Sequence, residues 1–334
     1  MLKKLALSAL AALVVAPVMA EEVNVYSYRQ PELIRPLTDA FTAQTGIKVN
    51  SVFLKKGMVE RLQAEGKRSP ADLIFTVDIS RLAGVVDAGL TQAVESEILN
   101  ENIPAEMRDA DNHWFGLTAR ARVVYASKDR VNPNEITTYE DLANEKWQGR
   151  ICTRSGMNAY NLALTSAVIA HHGEEGAEAW LSALKGNLAR KPQGNDRAQV
   201  KAIWAGECDI SIGNTYYMAA MLNEEEQKPW AESVRIVFPK FENGGTHMNI
   251  SGMAMTKAAP NRDNAVKLME FLASAEGQKI YAEINAEYPV LAGVEASELV
   301  ESWGTFERDG MGLTTIAANR SKAVKLVEAV GFDN

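Results

Sequence analysis

The sequence is poor in the residues that mark most chemistries. Its 334 residues include two cysteines and four histidines. Two cysteines cannot build a disulfide scaffold or a four-cysteine zinc site. There is no Gly-x-Ser-x-Gly, no His-Glu-x-x-His and no glycine-rich loop ending in Lys-Ser or Lys-Thr. The patterns of a nucleophile elbow, a zinc-protease helix and a phosphate cradle are therefore missing. A basic excess is missing too. The net charge of −8 argues against nucleic acid, whose recognition needs a basic face. No apolar stretch after the first twenty residues approaches the roughly 18 needed to span a bilayer. Gly and Pro follow no collagen-like or linker-like pattern.

What is present is ordinary globular material. Hydrophobic residues make up 46% and charged residues 23%, which excludes a disordered or fibrous chain. The length suits two domains. Residues 1–20 read as a secretory signal. Lys3 and Lys4 start it, Leu5 to Val15 is apolar apart from Ser8, and Val18-Met19-Ala20 precedes the expected cleavage before Glu21. The expected mature chain, Glu21–Asn334, loses both lysines, so its charge moves from −8 to −10. The expected protein is exported, soluble and free of a membrane span. An oxidising compartment favours a disulfide between Cys152 and Cys208, each beside a strand-like segment. Two buried free thiols are the alternative.

Strand and helix signals alternate along the mature chain. Val23–Tyr26, Ile47–Phe53 and Ala71–Phe75 read as strands. Leu33, Ile34, Leu37 and Phe41 recur at helical spacing, and further helices are expected over Met58–Glu65 and Ser80–Ala88. The same grammar restarts with strands at Gly149–Thr153 and Cys208–Ile212 and helices over Asn158–His171, Ala177–Leu184 and Arg197–Ala205. An amphipathic helix is expected near Asn264–Glu283, and a last one near Ser321–Val330. These signals predict an α/β fold of two lobes with largely parallel sheets. Leu117–Ala126 and Asn249–Thr256 are strand-like crossovers between the lobes.

Histidine offers little. His171-His172 precedes Gly173 at an expected helix end, where a cation complements the dipole. His113 and His247 stand alone. The tyrosines offer more. Tyr216 and Tyr217 follow Gly213-Asn-Thr215, with a strand ending near Ile212 and a helix pattern from Met218 to Leu222. Asn214 or Thr215 could cap that helix, placing both tyrosines in its first turn, about 100° apart. Tyr160 follows a similar candidate cap at Ser155-Gly156. Three phenols could thus converge from one lobe. Phenolate is a hard oxygen donor, and three of them would balance a ferric ion. Aromatic packing, or stacking on an organic ligand, remains the other reading of the same spacing.

Arg120 and Arg122 share one face of their crossover strand, and Arg29 follows the first strand, where open α/β sheets bind ligands. Guanidiniums there could clamp a small anion or form structural ion pairs. Asn195 reads as a helix cap.

Seven segments together resemble a known family. They are Val25-Tyr-Ser-Tyr-Arg-Gln30, Phe41-Thr-Ala-Gln-Thr-Gly-Ile-Lys48, Arg68-Ser-Pro-Ala-Asp72, Gly116-Leu-Thr-Ala-Arg-Ala-Arg-Val123, Trp204-Ala-Gly-Glu-Cys-Asp209, Gly213-Asn-Thr-Tyr-Tyr217 and Phe271-Leu-Ala-Ser-Ala-Glu-Gly-Gln278. The whole mature chain resembles a periplasmic ferric-ion-binding protein of an ABC uptake system, in the tyrosine-rich subgroup of the transferrin-like solute-binding proteins. The resemblance implies a non-enzymatic carrier of two α/β lobes joined by two crossover strands, working with an inner-membrane permease. The expected division is a signal at 1–20, one lobe from 21–120 with 247–297, and another from 121–246 with 298–334. Tyr216 and Tyr217 match the family's paired ligands. Tyr160, in Arg154-Ser-Gly-Met-Asn-Ala-Tyr160, matches its extra tyrosine. Some relatives place a His-Tyr ligand pair after the first strand, where this chain has Gln30-Pro31. Three tyrosines leave an octahedral sphere incomplete, so a synergistic anion, most simply carbonate, is expected. Arg29, Gln30 and Arg120 are the candidates to hold it, ahead of Arg122. A monomer is the expected state. A binding protein for a polyamine, thiamine or a phosphonate is the alternative.

Overall fold

The computed structural model describes residues 21–334. The signal expected over 1–20 lies outside the described residues. The first run of elements is β1 (Glu22–Ser27), α1 (Pro31–Thr45), β2 (Lys48–Phe53), α2 (Met58–Glu65), β3 (Leu73–Thr76), α3 (Ile79–Asp87), β4 (Thr91–Gln92), α4 (Glu97–Asn102) and the long β5 (Phe115–Ser127). The second is β6 (Ile151–Cys152), α5 (Ala159–Gly186), α6 (Asp196–Trp204), β7 (Ile210–Asn214), α7 (Tyr216–Leu222), α8 (Lys228–Glu232) and β8 (Val234–Val237). The chain then returns through β9 (Met248–Thr256), α9 (Arg262–Ala273), α10 (Ala275–Asn285), β10 (Tyr288–Pro289), α11 (Glu298–Glu301), α12 (Leu313–Ala318) and α13 (Arg320–Val330).

The strands run in the order β2-β1-β3-β9-β5-β7-β6, as two lobes of sheet meeting through β5. The sheet is mixed, not largely parallel. Parallel pairs are confined to β2–β1–β3 and β6–β7, where helices make the crossovers. Between them β9 pairs antiparallel with both β3 and β5, and β5 pairs antiparallel with β7 and β8. The physical reason is length. The long β9 lies between β3 and β5 and runs against both, and the long β5 runs on to pair against β7 and β8. Every residue of β5 and β9 is buried, so these two strands form the molecule's common core.

Local signals account for most helix ends. Asp78 caps α3 and Asn195 caps α6, the latter accepting from the Ala198 amide at 3.0 Å. Gly173, at φ 73°, interrupts α5 just after His172. The single helix expected over Asn264–Glu283 is instead α9 and α10. They break at Ser274, which is extended and accepts from the Gly277 amide to cap α10. A Cβ at Gly277 would lie 2.3 Å from the Phe271 carbonyl oxygen, so only glycine allows the two helices to meet so closely. Cys152 and Cys208 are joined by a disulfide, with Cα atoms 5.9 Å apart.

Candidate metal centre

The site gathers where strands of both lobes end. Ligands of open α/β sheets sit beyond the carboxyl ends of the strands, where the chain turns outward and side chains converge. The turn after β1 carries Tyr28, Arg29 and Gln30, that after β3 carries Val77, and β7 runs directly into α7 with its two tyrosines. Together with Leu33, Arg120, Tyr160, Tyr216 and Glu287 these turns line a cleft of about 220 Å³.

Tyr160 and Tyr216 meet in the cleft with their hydroxyls 3.2 Å apart. The Tyr216 and Tyr217 rings lie 4.3 Å apart, so the three phenols form one group. Their capping differs from expectation. Asn158, not Ser155, caps α5, accepting from the Tyr160 amide at 3.0 Å. Neither Asn214 nor Thr215 caps α7 through its side chain. Asn214 is still a strand residue, held by Arg122 at 3.0 Å, and its amide donates to the Tyr216 hydroxyl at 3.4 Å.

Burial raises the Tyr216 hydroxyl well above its ordinary pKa near 10, and the neighbouring Tyr160 and Tyr217 hydroxyls raise it further; Arg120 pulls the other way. Burial first, then Tyr160 and Asp196, pushes Tyr217 up to about 12. Both are therefore neutral phenols at neutral pH. A group strong enough to displace their protons must supply concentrated positive charge. Three guanidiniums already face the Tyr160 ring, those of Arg120, Arg122 and Arg154, each within 6 Å of its centre.

The arginines separate by partner. Arg122 is buried in an ion pair with Asp196 at 2.6 Å, and it also donates to Asn161 at 2.6 Å. Asp196 takes Arg154 as well, at 3.1 Å. Arg122 is thus structural, in keeping with its lower rank. Arg120 donates to the Ser251 hydroxyl at 3.1 Å and to the Val77 carbonyl. Arg29 donates to both carboxylate oxygens of Glu287, at 3.1 and 3.0 Å, and to Ser251. Burial works against the Arg29 charge, but Glu287 outweighs it and holds the guanidinium protonated. Gln30 is exposed at the rim.

The structure thus brings Tyr160, Tyr216, Arg29, Gln30 and Arg120 to one cleft, with the Tyr217 ring packed against that of Tyr216. Glu287, Ser251, Arg154 and Asp196 were not singled out from sequence. The histidines are elsewhere: His171 bonds Asp309 at 2.9 Å, His172 bonds Glu140 at 2.5 Å and His113 bonds Thr91 at 2.8 Å. Among the described residues no group of three His, Cys, Asp or Glu side chains could hold a metal, and no helix is long and apolar enough to cross a membrane. A metal in this cleft would rely on phenolate oxygen. That donor set suits a hard trivalent cation and discriminates against soft ones.

Comparison with known proteins places the chain in a family. The model of the bacterial extracellular solute-binding proteins matches residues 26–279. Iron uptake protein A1 of Synechocystis sp. is 44% identical over 315 residues, covering 93% of this chain and 88% of that protein. Ferric iron-binding protein A of Mannheimia haemolytica, solved in an open conformation, superposes with a TM-score of 0.91 at 53% identity, over 94% of this chain and 100% of that one. A Trichodesmium protein solved in complex with iron and citrate ligands superposes with a TM-score of 0.90 at 42% identity, over 93% and 99% of the two chains.

Proposed function

We propose that this chain, which belongs to the bacterial extracellular solute-binding protein family, carries ferric ion through the periplasm to an inner-membrane ABC permease, holding the metal on Tyr160, Tyr216 and Tyr217. The observation that carries this reading is the grouping of three phenols, two of which line the 220 Å³ cleft while the third packs against Tyr216. The polyamine alternative would call for several cleft carboxylates, whereas the cleft lining holds Glu287 alone, already paired with Arg29. The names of the similar proteins point to iron as well.

In this reading the lobes divide as 21–120 with 247–297 and 121–246 with 298–334. The metal meets the tyrosine lobe first. Three phenolates neutralise it and fill half of an octahedron. A small anion, carbonate most simply, completes the sphere. Arg120 is the main anion partner because its donors meet only neutral oxygens, with Arg29 and Gln30 beside it. The citrate bound with iron in the Trichodesmium protein makes citrate the second anion to test. Bending at β5 and β9 then closes the lobes over the metal. The carrier works as a monomer, and its chemistry is binding, not turnover.

The test is visible absorption of mature protein with stoichiometric ferric chelate and bicarbonate, beside Tyr216→Phe. An intense charge-transfer band in the parent, weakened or shifted in the variant, is expected. A colourless parent that keeps no iron after desalting would overturn the reading.

A further inference from the structure

The cleft contains one carboxylate, and its position bears on which anions the site accepts. Glu287 sits between α10 and β10, far in sequence from every other cleft residue. Ala286, just before it, adopts a left-handed φ of 49°, so the chain turns sharply at the end of α10. Pairing of Tyr288 with Ala119 and of Pro289 with Thr118 then fixes the next residues against β5. The Glu287 side chain is 2% exposed. It accepts from Arg29 on both oxygens, from the Thr118 hydroxyl, and from Ser251 at 3.5 Å. Ser251 also accepts from Arg120. Five side chains from the turn after β1, from β5 and β9, and from the α10–β10 turn are thereby locked together at the cleft wall.

Two guanidiniums and one carboxylate leave that wall with a single net positive charge. Arg120 makes no salt bridge among the described residues, and the Nε–H groups of Arg29 and Arg120 are buried without partners. Were both arginines unopposed, the wall would favour dianions and larger polyanions, because each further charge on the ligand would gain from both. With Glu287 in place, one guanidinium is neutralised.

Building on the ferric reading above, we infer that Glu287 is a specificity-determining residue that biases the anion site toward small anions of low charge, carbonate or bicarbonate ahead of citrate. It sets the charge of the wall, and it does so without touching the metal ligands.

Formate and sulfate serve as probes of one and two charges, added to iron-loaded protein in bicarbonate while the charge-transfer band is followed. Glu287→Gln keeps the size and an acceptor for Thr118 but removes the charge. It should shift the preference for sulfate over formate by roughly tenfold or more, the scale expected for one charge at close range in a partly buried site. Glu287→Asp should keep the parent's order of preference. Arg29→Gln leaves Glu287 unopposed and should shift preference the other way. Arg29→Gln with Glu287→Gln should weaken all anions by loss of Arg29 donors yet return the parent's order. That double variant, compared with Arg29→Gln, keeps the inference testable if Glu287→Gln fails to fold. The same sulfate-to-formate ratio in the parent and every folded variant would overturn it. A parent with no band at all would instead remove the ferric reading, so the two failures are distinct.

Discussion

His247 lies immediately before β9, at the junction of the two crossing strands. Its carbonyl accepts from the Arg122 amide at 3.0 Å, and its amide donates to the Tyr139 hydroxyl at 3.1 Å. Burial lowers its pKa from about 6.5 to about 4, partly offset by Asp309. The neutral ring is the form that the fold accepts, whereas the unfolded chain takes up a proton already near pH 6.5. Its contribution is therefore complete above pH 6.5 and is lost as pH falls from 6.5 to about 4. At about 1.4 kcal/mol per pH unit, the loss reaches about 3 kcal/mol. Denaturant unfolding of metal-free protein across that window should show this slope, and His247→Gln should flatten it. An equal slope in the variant would mean other groups carry the acid sensitivity. Side chains of this kind mark the limit of sequence reading. The three tyrosines were legible because they follow strand ends at helix starts, and Arg120 and Arg122 were legible as a same-face pair. Which arginine stays available was not. That depends on Asp196, 74 residues from Arg122, and on Glu287, 258 residues from Arg29.

Among the elements, β6 is the slightest support for a site residue. It is two residues long at the sheet edge, yet it leads through Arg154 to Tyr160. The disulfide joins Cys152 in β6 to Cys208, just before β7, and so pins both strands that lead to the tyrosines. It closes a chain separation of 56 residues. Its loss in Cys152→Ala with Cys208→Ala should cost about 2–4 kcal/mol, chiefly by freeing the unfolded chain. Thermal unfolding should then shift down by several degrees relative to the oxidised parent. A shift within error would mean that strand pairing and packing alone secure this edge. The elements that sequence pattern predicted well are those with an amphipathic stripe, such as α1 and α6. Those it missed or merged depend on other signals. β8 is mostly half-buried over Val234–Val237, and α10 separates from α9 only through a serine cap and a glycine contact. The mixed sheet was hidden because strand direction is a property of pairing partners, which the pattern within one strand does not contain.

At the scale of the whole molecule, the proposed metal site is unusual in that its candidate ligands start out protonated. Burial holds Tyr216 well above the ordinary phenol range and Tyr217 at about 12, so both are neutral in the metal-free protein at physiological pH. If they are the ligands, ferric loading expels their protons and acid favours release. The sign follows from the states: the metal-bound form holds fewer protons, so its stability rises with pH and falls as protons become available. Each displaced proton contributes up to about tenfold in affinity per pH unit. Loading weakly buffered protein with a ferric chelate should release roughly two to three protons per ion, after correction for the chelate. Tyr217→Phe should release about one fewer. Release of none would show that the phenols are not the ligands. Closure couples this chemistry to motion. The tyrosines belong to one side of the cleft and Arg29 with Glu287 to the other, so lobes drawn together over the metal would shield the phenolates from water. Protons could then return quickly only after the lobes part. Acid-driven iron loss should accordingly be limited by opening, and substitutions that favour the open state should speed it without changing the number of protons exchanged.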